Sequence, residues 1–256
     1  MSDFDRNYAA GTRGVSADRA EIDAGLRAYM IRIYNIMAIG VALTGVAAWI
    51  AYQMAGGDAI VTSGRGISGL TDFGRLIFSL PGQIVLFLGT LGLVFFVSWR
   101  IDRLSVGTAL TLFLVYAGLL GVMLSSILLV YTHTSITRVF FISAASFGAL
   151  SLYGYTTQRN LSAIGSFLIM GLIGLILASL VNLFFQSTMM SFIISCVGVL
   201  IFAGLTAWDT QKIKEMYDVM DDGTVAGRKA VMGALTLYLD FINLFLFMLR
   251  LLGDRR

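Results

Sequence analysis

Long stretches without a charged residue constrain the fold of this chain more than any other feature. No Asp, Glu, Lys or Arg occurs in residues 104–137, 139–158 and 160–208, which are gaps of 34, 20 and 49 residues. A helix needs about 20 apolar residues to cross the hydrocarbon core of a membrane. Because backbone groups in lipid must bond internally, and because the alternation of barrel strands is absent, the gaps predict membrane-spanning helices.

Composition supports the same class of protein. Apolar residues make up 57% and charged residues 13% of the 256, with a mean hydropathy of +0.84. A water-soluble fold of this size would not bury so much apolar surface, so the composition argues against soluble enzymes and against intrinsic disorder. One cysteine excludes a disulfide framework.

The predicted architecture is an all-α membrane protein with seven transmembrane helices. The 49-residue gap holds two of them, separated by the polar break Gln186-Ser187-Thr188. Residues 1–27 are predicted to form a short cytoplasmic tail, residues 28–253 one membrane domain, and the Gly-rich stretch 55–82 an external loop. The predicted spans are 31–54, 83–99, 106–130, 138–156, 162–185, 189–208 and 230–251.

Lys and Arg predict the orientation, since they concentrate in cytoplasmic segments. With the N-terminus inside, the inner segments hold 12 of the 18 basic residues and the outer segments 6. If the last apolar segment were re-entrant and returned to the inner side, the division would be 15 to 3. Seven spans are therefore the first prediction, and a re-entrant last segment is the alternative.

Two aspartates stand out within the predicted spans. Asp240 is the midpoint of a 22-residue apolar segment, and Asp209 closes the 49-residue gap. A carboxylate at the centre of a membrane helix costs about 2.5–3.5 kcal/mol on insertion scales, so such residues usually serve a function. If the sixth and seventh spans form a hairpin with its turn at residues 221–225, the two carboxyls lie at one depth in the cytoplasmic half.

Two carboxyls in contact in a low dielectric do not both ionise cheaply, so the pair is expected to share a proton near neutral pH. Loss of that proton creates a repulsion that either separates the helices or recruits a cation. Carboxylate oxygens suit hard cations such as Ca²⁺. The pair therefore predicts a proton-sensitive cation site at Asp209 and Asp240. The alternative is a structural pair, satisfied by Asn, Thr or Arg neighbours, that holds the bundle together.

Other polar residues are weaker candidates. Arg100 ends the second span beside Trp99, where it either latches onto Asp209 or anchors at the lipid headgroups. Asn182 and Asn243 lie within spans and are predicted to bridge helices. The charged run from Asp209 to Asp222 is interpreted as a solvated helix extension. The glycine pairs Gly118 and Gly121, and Gly171 and Gly174, are interpreted as close helix contacts.

Two segments of the last third carry a family resemblance. Residues 198–214, GVLIFAGLTAWDTQKIK, resemble the sixth-span signature of the Bax inhibitor-1 family, the transmembrane Bax-inhibitor-motif proteins. Residues 234–245, ALTLYLDFINLF, resemble its last-span signature. The two segments occur in the family's order, and the seven-span plan extends the similarity over residues 25–253. The chain is most similar to bacterial members.

The resemblance implies a fold in which the last helix is central and is wrapped by the other six. It also implies a pH-sensitive Ca²⁺ leak through a membrane, here the bacterial inner membrane, with Asp209 and Asp240 as the pH-sensing pair. An arginine near the end of the second span corresponds to Arg100 or Arg103, of which Arg100 is preferred. The expected partners are lipid, Ca²⁺ and protons. No enzyme activity, resident cofactor or nucleic-acid partner is expected.

Two rival functions remain to be weighed. Some bacterial relatives resemble modulators of a membrane AAA protease, so a non-transporting scaffold or regulator, docking through residues 1–27, is the alternative. An intramembrane aspartyl protease also uses two aspartates on consecutive helices. Its Gly-x-Gly-Asp context is absent at Asp240, and no proline follows Pro81, which argues against it.

Overall fold

The chain folds into a bundle of long helices. This computed structural model describes residues 24–60 and 68–256 completely, and residues 3–23, 61–63 and 66–67 by their backbone elements alone. The predicted tail therefore lies largely outside the fully described residues. The helices are α1 (Asp3–Met54), α2 (Asp72–Phe78), α3 (Leu80–Arg100), α4 (Val106–Leu124), α5 (Ile127–Val130), α6 (His133–Thr156), α7 (Ser162–Phe185), α8 (Thr188–Glu215) and α9 (Gly223–Leu252).

Side-chain caps start most of the helices. A hydroxyl or carboxylate just before the first turn accepts a hydrogen bond from a backbone N–H two or three residues later, which satisfies a donor that the helix leaves free. At the C-terminal end of α7, Gln186 adopts the left-handed backbone conformation, with φ of 50°, and ends the helix. The capping residues are Thr71, Ser79, Ser105, Thr132, Ser187 and Asp222.

Seven helical segments within the described residues are long and apolar enough to cross a membrane, which confirms the predicted number. Their bounds exceed the predicted ones at several ends, because the polar last turns of the helices continue beyond the apolar residues. The largest differences are seven residues each: the first segment and α9 start earlier than predicted, and α8 ends later. The segments are Ala24–Met54, Leu80–Arg103, Val106–Val130, His133–Thr156, Ser162–Phe185, Thr188–Glu215 and Gly223–Leu252.

The last helix is the most deeply buried of the seven. In the most apolar window of α9, 61% of the residues are buried, against 11% in α3 and in α7. α9 packs against α1, α4, α6 and α8, whereas α3 packs chiefly against α4, and α7 against α8. The two outer helices thus flank α9 at a greater distance. A last helix wrapped by all six others remains a prediction.

The two ends of the bundle differ in what they hold. One end, named here the turn end, carries the connections 101–105, 157–161 and 216–222. The opposite end carries the segment 55–79 and the C-terminal residues, whose Arg256 N–H donates to the Val130 carbonyl at 2.9 Å and whose Asp254 carbonyl accepts from Thr132 at 3.0 Å. α9 is helical throughout Gly223–Leu252 and joins the two ends, so the re-entrant alternative is wrong.

The Gly-rich stretch 55–82 is more ordered than the predicted loop. It contains a 3₁₀ turn (Gly57–Ala59), a hairpin of strands β1 (Val61–Ser63) and β2 (Gly66–Ser68), and the short helix α2. Gly69 has φ of +82°, and a Cβ there would strike the Ala59 carbonyl, so this turn requires glycine. Ile77 is buried against the end of α1, while Leu76 and Leu80 are exposed, as expected for residues at a membrane surface.

Candidate functional site

The hairpin of α8 and α9 positions the two aspartates. α8 ends at Glu215, and Asp222 caps α9 through the N–H groups of Thr224 and Val225. The turn therefore spans residues 216–222, and the predicted turn at 221–225 is wrong because Asp222 starts a helix there. Lys229 folds the turn back along α9: its ammonium donates to the Met216 carbonyl at 3.0 Å and to Asp221 at 2.6 Å.

This register brings the two carboxyls together. The sequence predicted that they lie at one depth, but it did not determine whether the rotation of the helices lets them face each other. Asp209 on α8 and Asp240 on α9 lie within reach of a side-chain hydrogen bond, and they retain 8% and 5% exposure. Oδ2 of Asp240 is buried and accepts no hydrogen bond from an N–H or hydroxyl in the described residues. A carboxyl proton on one of the two aspartates is the donor that would join them.

The neighbouring positive charge comes from α8 itself. Lys212 follows Asp209 by three residues, close to one helical turn, and interacts with it electrostatically. The Lys212 ammonium also lies 5.2 Å from the centre of the Trp208 ring. The predicted latch is not formed in this structure: Arg100 is exposed at the end of α3, and no ion pair joins it to a carboxylate of the described residues.

A cavity of about 920 Å³ adjoins the carboxyl pair. Residues of α3, α4, α7, α8 and α9 line it, so it occupies the space between α9 and the two outer helices. Most of the wall is Leu, Ile, Val, Phe and Met. Its charged groups are Asp209, Lys212 and Asp240, and its other polar or hydroxyl-bearing side chains include Thr90, Ser98, Tyr116, Ser179, Thr236 and Asn243.

The two asparagines have different surroundings. Asn182 joins α7 to α8, as predicted: its amide donates to the Ser191 hydroxyl at 2.7 Å, and its carbonyl accepts from the Ser187 N–H at 3.0 Å. Asn243 lies one turn after Asp240 on the cavity wall. Its amide donates to the Leu239 carbonyl of its own helix at 2.9 Å, and within the described part of the chain it forms no hydrogen bond to another helix, so the predicted bridge is absent in this structure.

A second set of polar residues, not predicted from the sequence, joins α1 to α9 and α6 to α8. The Thr44 hydroxyl of α1 and the Tyr238 hydroxyl of α9 are 2.6 Å apart. Ser151 of α6 lies 2.9 Å from Thr210 of α8 and also contacts the Tyr34 hydroxyl of α1. The sequence carries only a weak signal for these contacts, because single hydroxyl-bearing residues are common in membrane helices.

Lys212 was also missed as a site residue. The run that contains it was interpreted as solvated, but Gln211 and Ile213 on either side are buried. Gln211 accepts from the Leu161 N–H at 2.8 Å and donates to the Arg159 carbonyl at 2.9 Å, which fixes the end of α8 against the connection between α6 and α7. The spacing of three residues from Asp209 was the signal that places Lys212 at the pair.

No group of three or more His, Cys, Asp or Glu side chains that could hold a metal ion occurs in the part of the chain that the structure describes. The carboxyl pair thus offers two side chains to a cation, fewer than the six to eight oxygens that a bound Ca²⁺ takes. The remaining oxygens would come from water, the Asn243 carbonyl and nearby hydroxyls. This donor set suits an ion in passage better than a resident one.

Comparison with known proteins agrees with the two signatures. The model of the family described as "Inhibitor of apoptosis-promoting Bax1" matches residues 26–256. The chain is 48% identical over 234 residues to the uncharacterized protein RP147 of Rickettsia prowazekii, covering 91% of this chain and 92% of the relative. It is 44% identical to the inner membrane protein YbhL of Escherichia coli K12, covering 91% and 94%.

A third relative, an uncharacterized protein of Caulobacter vibrioides, is 40% identical and aligns over the full length of both chains. The family match over residues 26–256 spans both aspartates and all of the seven apolar helices except the first two residues of Ala24–Met54. The chain is therefore a multi-pass membrane protein that belongs to the Bax inhibitor-1 family.

Proposed function

We propose that this protein is a pH-sensitive cation leak of the bacterial inner membrane, with Ca²⁺ as its ion, and that the protonation of the Asp209–Asp240 pair gates it. The observation that carries the proposal is the contact of two buried carboxyls on the wall of a cavity of about 920 Å³. The resemblance to the family points to the same pair. A resident cofactor and an enzyme activity form no part of the proposal.

The gating argument rests on the charge of the pair. With one proton, the carboxyls share a hydrogen bond that joins α8 to α9. Without it, two like charges about 4 Å apart repel by roughly 4 kcal/mol at an effective dielectric of about 20. Lys212 offsets part of this repulsion, although its exposure to solvent weakens the effect. Tyr116 of α4 is the other titratable group on the cavity wall.

The sign of the pH response follows. When the pH rises, the pair loses its proton, and the repulsion is relieved either by separation of the helices or by a cation between the carboxyls. Both outcomes favour conduction, so flux is expected to increase with pH. In this structure the wall continues past Asn243 as Leu246 and Phe247, whose ring stacks on Phe202 at 5.7 Å. We interpret this apolar layer as the closed gate.

Orientation comes from the distribution of basic side chains. The turn end carries Arg100, Arg103, Arg159, Lys212 and Arg228, so we place this end in the cytoplasm. The carboxyl pair would then lie in the cytoplasmic half of the membrane, and cytoplasmic pH would set its protonation. The relative YbhL, an inner membrane protein by name, supports the choice of membrane.

The test is Ca²⁺ entry into liposomes that contain the pure protein and a trapped dye, recorded between about pH 5 and pH 8. We expect flux to rise with pH in the wild type, and Asp240→Asn to abolish that dependence. Asp102→Asn is the matched control, because it removes a carboxylate that is exposed in the α3–α4 connection at the same end of the bundle.

Two outcomes would overturn the proposal. Unchanged flux at every pH in both Asp209→Asn and Asp240→Asn would show that the pair is not the sensor. Folded protein without flux above empty liposomes would favour the scaffold or regulator of a membrane AAA protease. That function predicts a specific partner on co-purification, which deletion of residues 1–27 abolishes.

A further inference from the structure

The cavity beside the carboxyl pair has the size and chemistry of a small-molecule site. Sites for small ligands measure about 300–1,000 Å³ and have apolar walls with a few polar groups. This cavity has a volume of about 920 Å³, and its charged groups are Asp209, Lys212 and Asp240. A hydrated ion needs far less space, and it gains nothing from the apolar part of the wall.

The cavity also has a route to the lipid. α3 and α7 form its outer wall, and each packs chiefly on another helix, α3 on α4 and α7 on α8. Several of their side chains both line the cavity and are substantially exposed on the surface of the bundle, namely Phe87, Leu91, Ile169, Ile176 and Leu180. Because these residues lie within membrane spans, that surface faces hydrocarbon, and the gap between α3 and α7 opens sideways into the membrane.

Charge selects the ligand that fits. Asp240 lies on the cavity wall and is 95% buried. Its Oδ2 atom accepts no hydrogen bond from an N–H or hydroxyl group of the described residues. An ammonium group carries several donors and a positive charge, and hydrogen bonds between charged groups are the strong ones. A carboxylate head would instead meet two acidic side chains and a single ammonium, that of Lys212, which is exposed at the turn end of the cavity.

We propose that this cavity binds an amphiphilic primary amine that enters from the membrane between α3 and α7. The amine crosses lipid in its neutral form. At the site its nitrogen takes the proton that Asp209 and Asp240 share, so that an N–H bond forms as the carboxyl O–H bond breaks. The ammonium then lies against two carboxylates, and the alkyl chain lies along the apolar walls. The inference uses the same pair as the proposed function but does not depend on conduction.

Trp208 provides a direct reporter, because its side chain lines the cavity next to the pair. In a Trp49→Phe, Trp99→Phe protein in phosphatidylcholine nanodiscs, Trp208 is the single tryptophan. The probes are a long-chain primary amine brominated near its head, which quenches indole fluorescence on contact, and the alcohol and the carboxylate of the same chain. We expect the amine to half-quench Trp208 at a concentration about tenfold lower than the alcohol.

A protein that keeps only Trp99 is the control for partition into lipid, since Trp99 is exposed on the outer surface of α3. It should show no preference of more than about twofold between amine and alcohol. Asp240→Asn in the Trp208 protein should remove the tenfold preference, and Asp240→Glu, which keeps the charge, should restore most of it. Circular dichroism of each variant shows whether it is folded.

Equal quenching of Trp208 by amine and alcohol would overturn the inference, as would stronger quenching by the carboxylate. An amine preference that persists in folded Asp240→Asn would place the binding elsewhere. Flux decides a different question. An amine preference without Ca²⁺ flux would support this inference and contradict the proposed function. Asp240-dependent flux without an amine preference would support the proposed function and contradict this inference.

Discussion

The two faces of α9 differ in almost every respect. On the face toward α1, α4 and α6, Tyr238 is fully buried, bonds to Thr44 and meets the Phe113 ring edge-on at 5.4 Å. On the face toward α3 and α7, Asp240 and Asn243 border a cavity. One helix therefore supplies the packing that stabilises the bundle and the groups that are available for chemistry. The difference teaches that the first role belongs to aromatic contacts and the second to the helix face that borders the cavity.

Tyr238→Ala is expected to produce the largest loss of stability. It removes a buried ring and leaves a cavity, changes that typically cost about 3–5 kcal/mol for an aromatic side chain. It also removes the contact between the Tyr238 and Thr44 hydroxyls, although Thr44 keeps the Gly40 and Ala117 carbonyls as acceptors. Reversible unfolding in mixed micelles measures the free energy of unfolding. Tyr238→Phe, which removes only the hydroxyl, should cost about 1 kcal/mol. If Tyr238→Ala cost no more than Asp240→Asn, the two faces would not differ as described.

Glycines test the same contrast between helices. A Cβ at Gly154 of α6 would strike the Ala207 backbone of α8, whereas a Cβ at Gly174 of α7 meets no atom within 4 Å. We expect Gly154→Val to destabilise the protein by about 1–3 kcal/mol and Gly174→Val to change its stability by less than about 0.5 kcal/mol. Equal thermal stability of the two variants would contradict the tight α6–α8 contact.

Lys212→Gln tests the electrostatics of the cavity that borders α9. An ammonium near Asp209 favours the ionised pair, so its removal should move the midpoint of the flux to higher pH. Because Lys212 is exposed, the shift should be modest, roughly half a pH unit. The liposome assay measures it, with Lys214→Gln as the control, since Lys214 turns away and donates to the Tyr155 carbonyl at 2.8 Å. A downward shift would be inconsistent with this role.

Arg100→Gln should have the smallest effect. The side chain is exposed and forms no ion pair in the described residues, so its replacement should alter stability by less than about 0.5 kcal/mol. The flux profile should stay within the error of the wild type. A clear rise in flux at low pH would instead support a latch between Arg100 and Asp209 in another state of the protein. In that state Arg100 of α3 would close the cavity beside α9.

The sequence was sufficient for the parts of the fold that depend on lipid. Three charge-free gaps and three further apolar stretches predicted seven helices, and the cost of burying Asp240 singled out the candidate site, because both follow from the hydrocarbon solvent alone. The equal depth of Asp209 and Asp240 followed from counting residues on either side of the turn. The turn lies at 216–222 and not at 221–225, but the depth is unaffected because the turn folds back along α9. The end of α8 therefore lies beside Lys229 and not beside the start of α9.

Features that depend on helix rotation and distance were not predictable. The glycine pairs show this: Gly121 approaches the Thr44 backbone and Gly171 the Ile201 side chain, but Gly118 and Gly174 face open space. The cavity has the same origin. It exists because α3 and α7 pack on their sequence neighbours and not on α9, and no local pattern in the sequence records which neighbour a uniformly apolar helix will choose.

The burial of α9 has a consequence for biosynthesis. Of the seven apolar helices, the ribosome makes the most deeply buried one after the four that it packs against, α1, α4, α6 and α8. Until then Asp209 and the Thr44 hydroxyl lack their partners on α9, and the space that Tyr238 and Leu244 will fill holds lipid or water. Chains usually acquire structure from the N-terminus as they are made. Here a truncated chain that ends before residue 223 would be an incomplete bundle and a ready substrate for quality-control proteolysis.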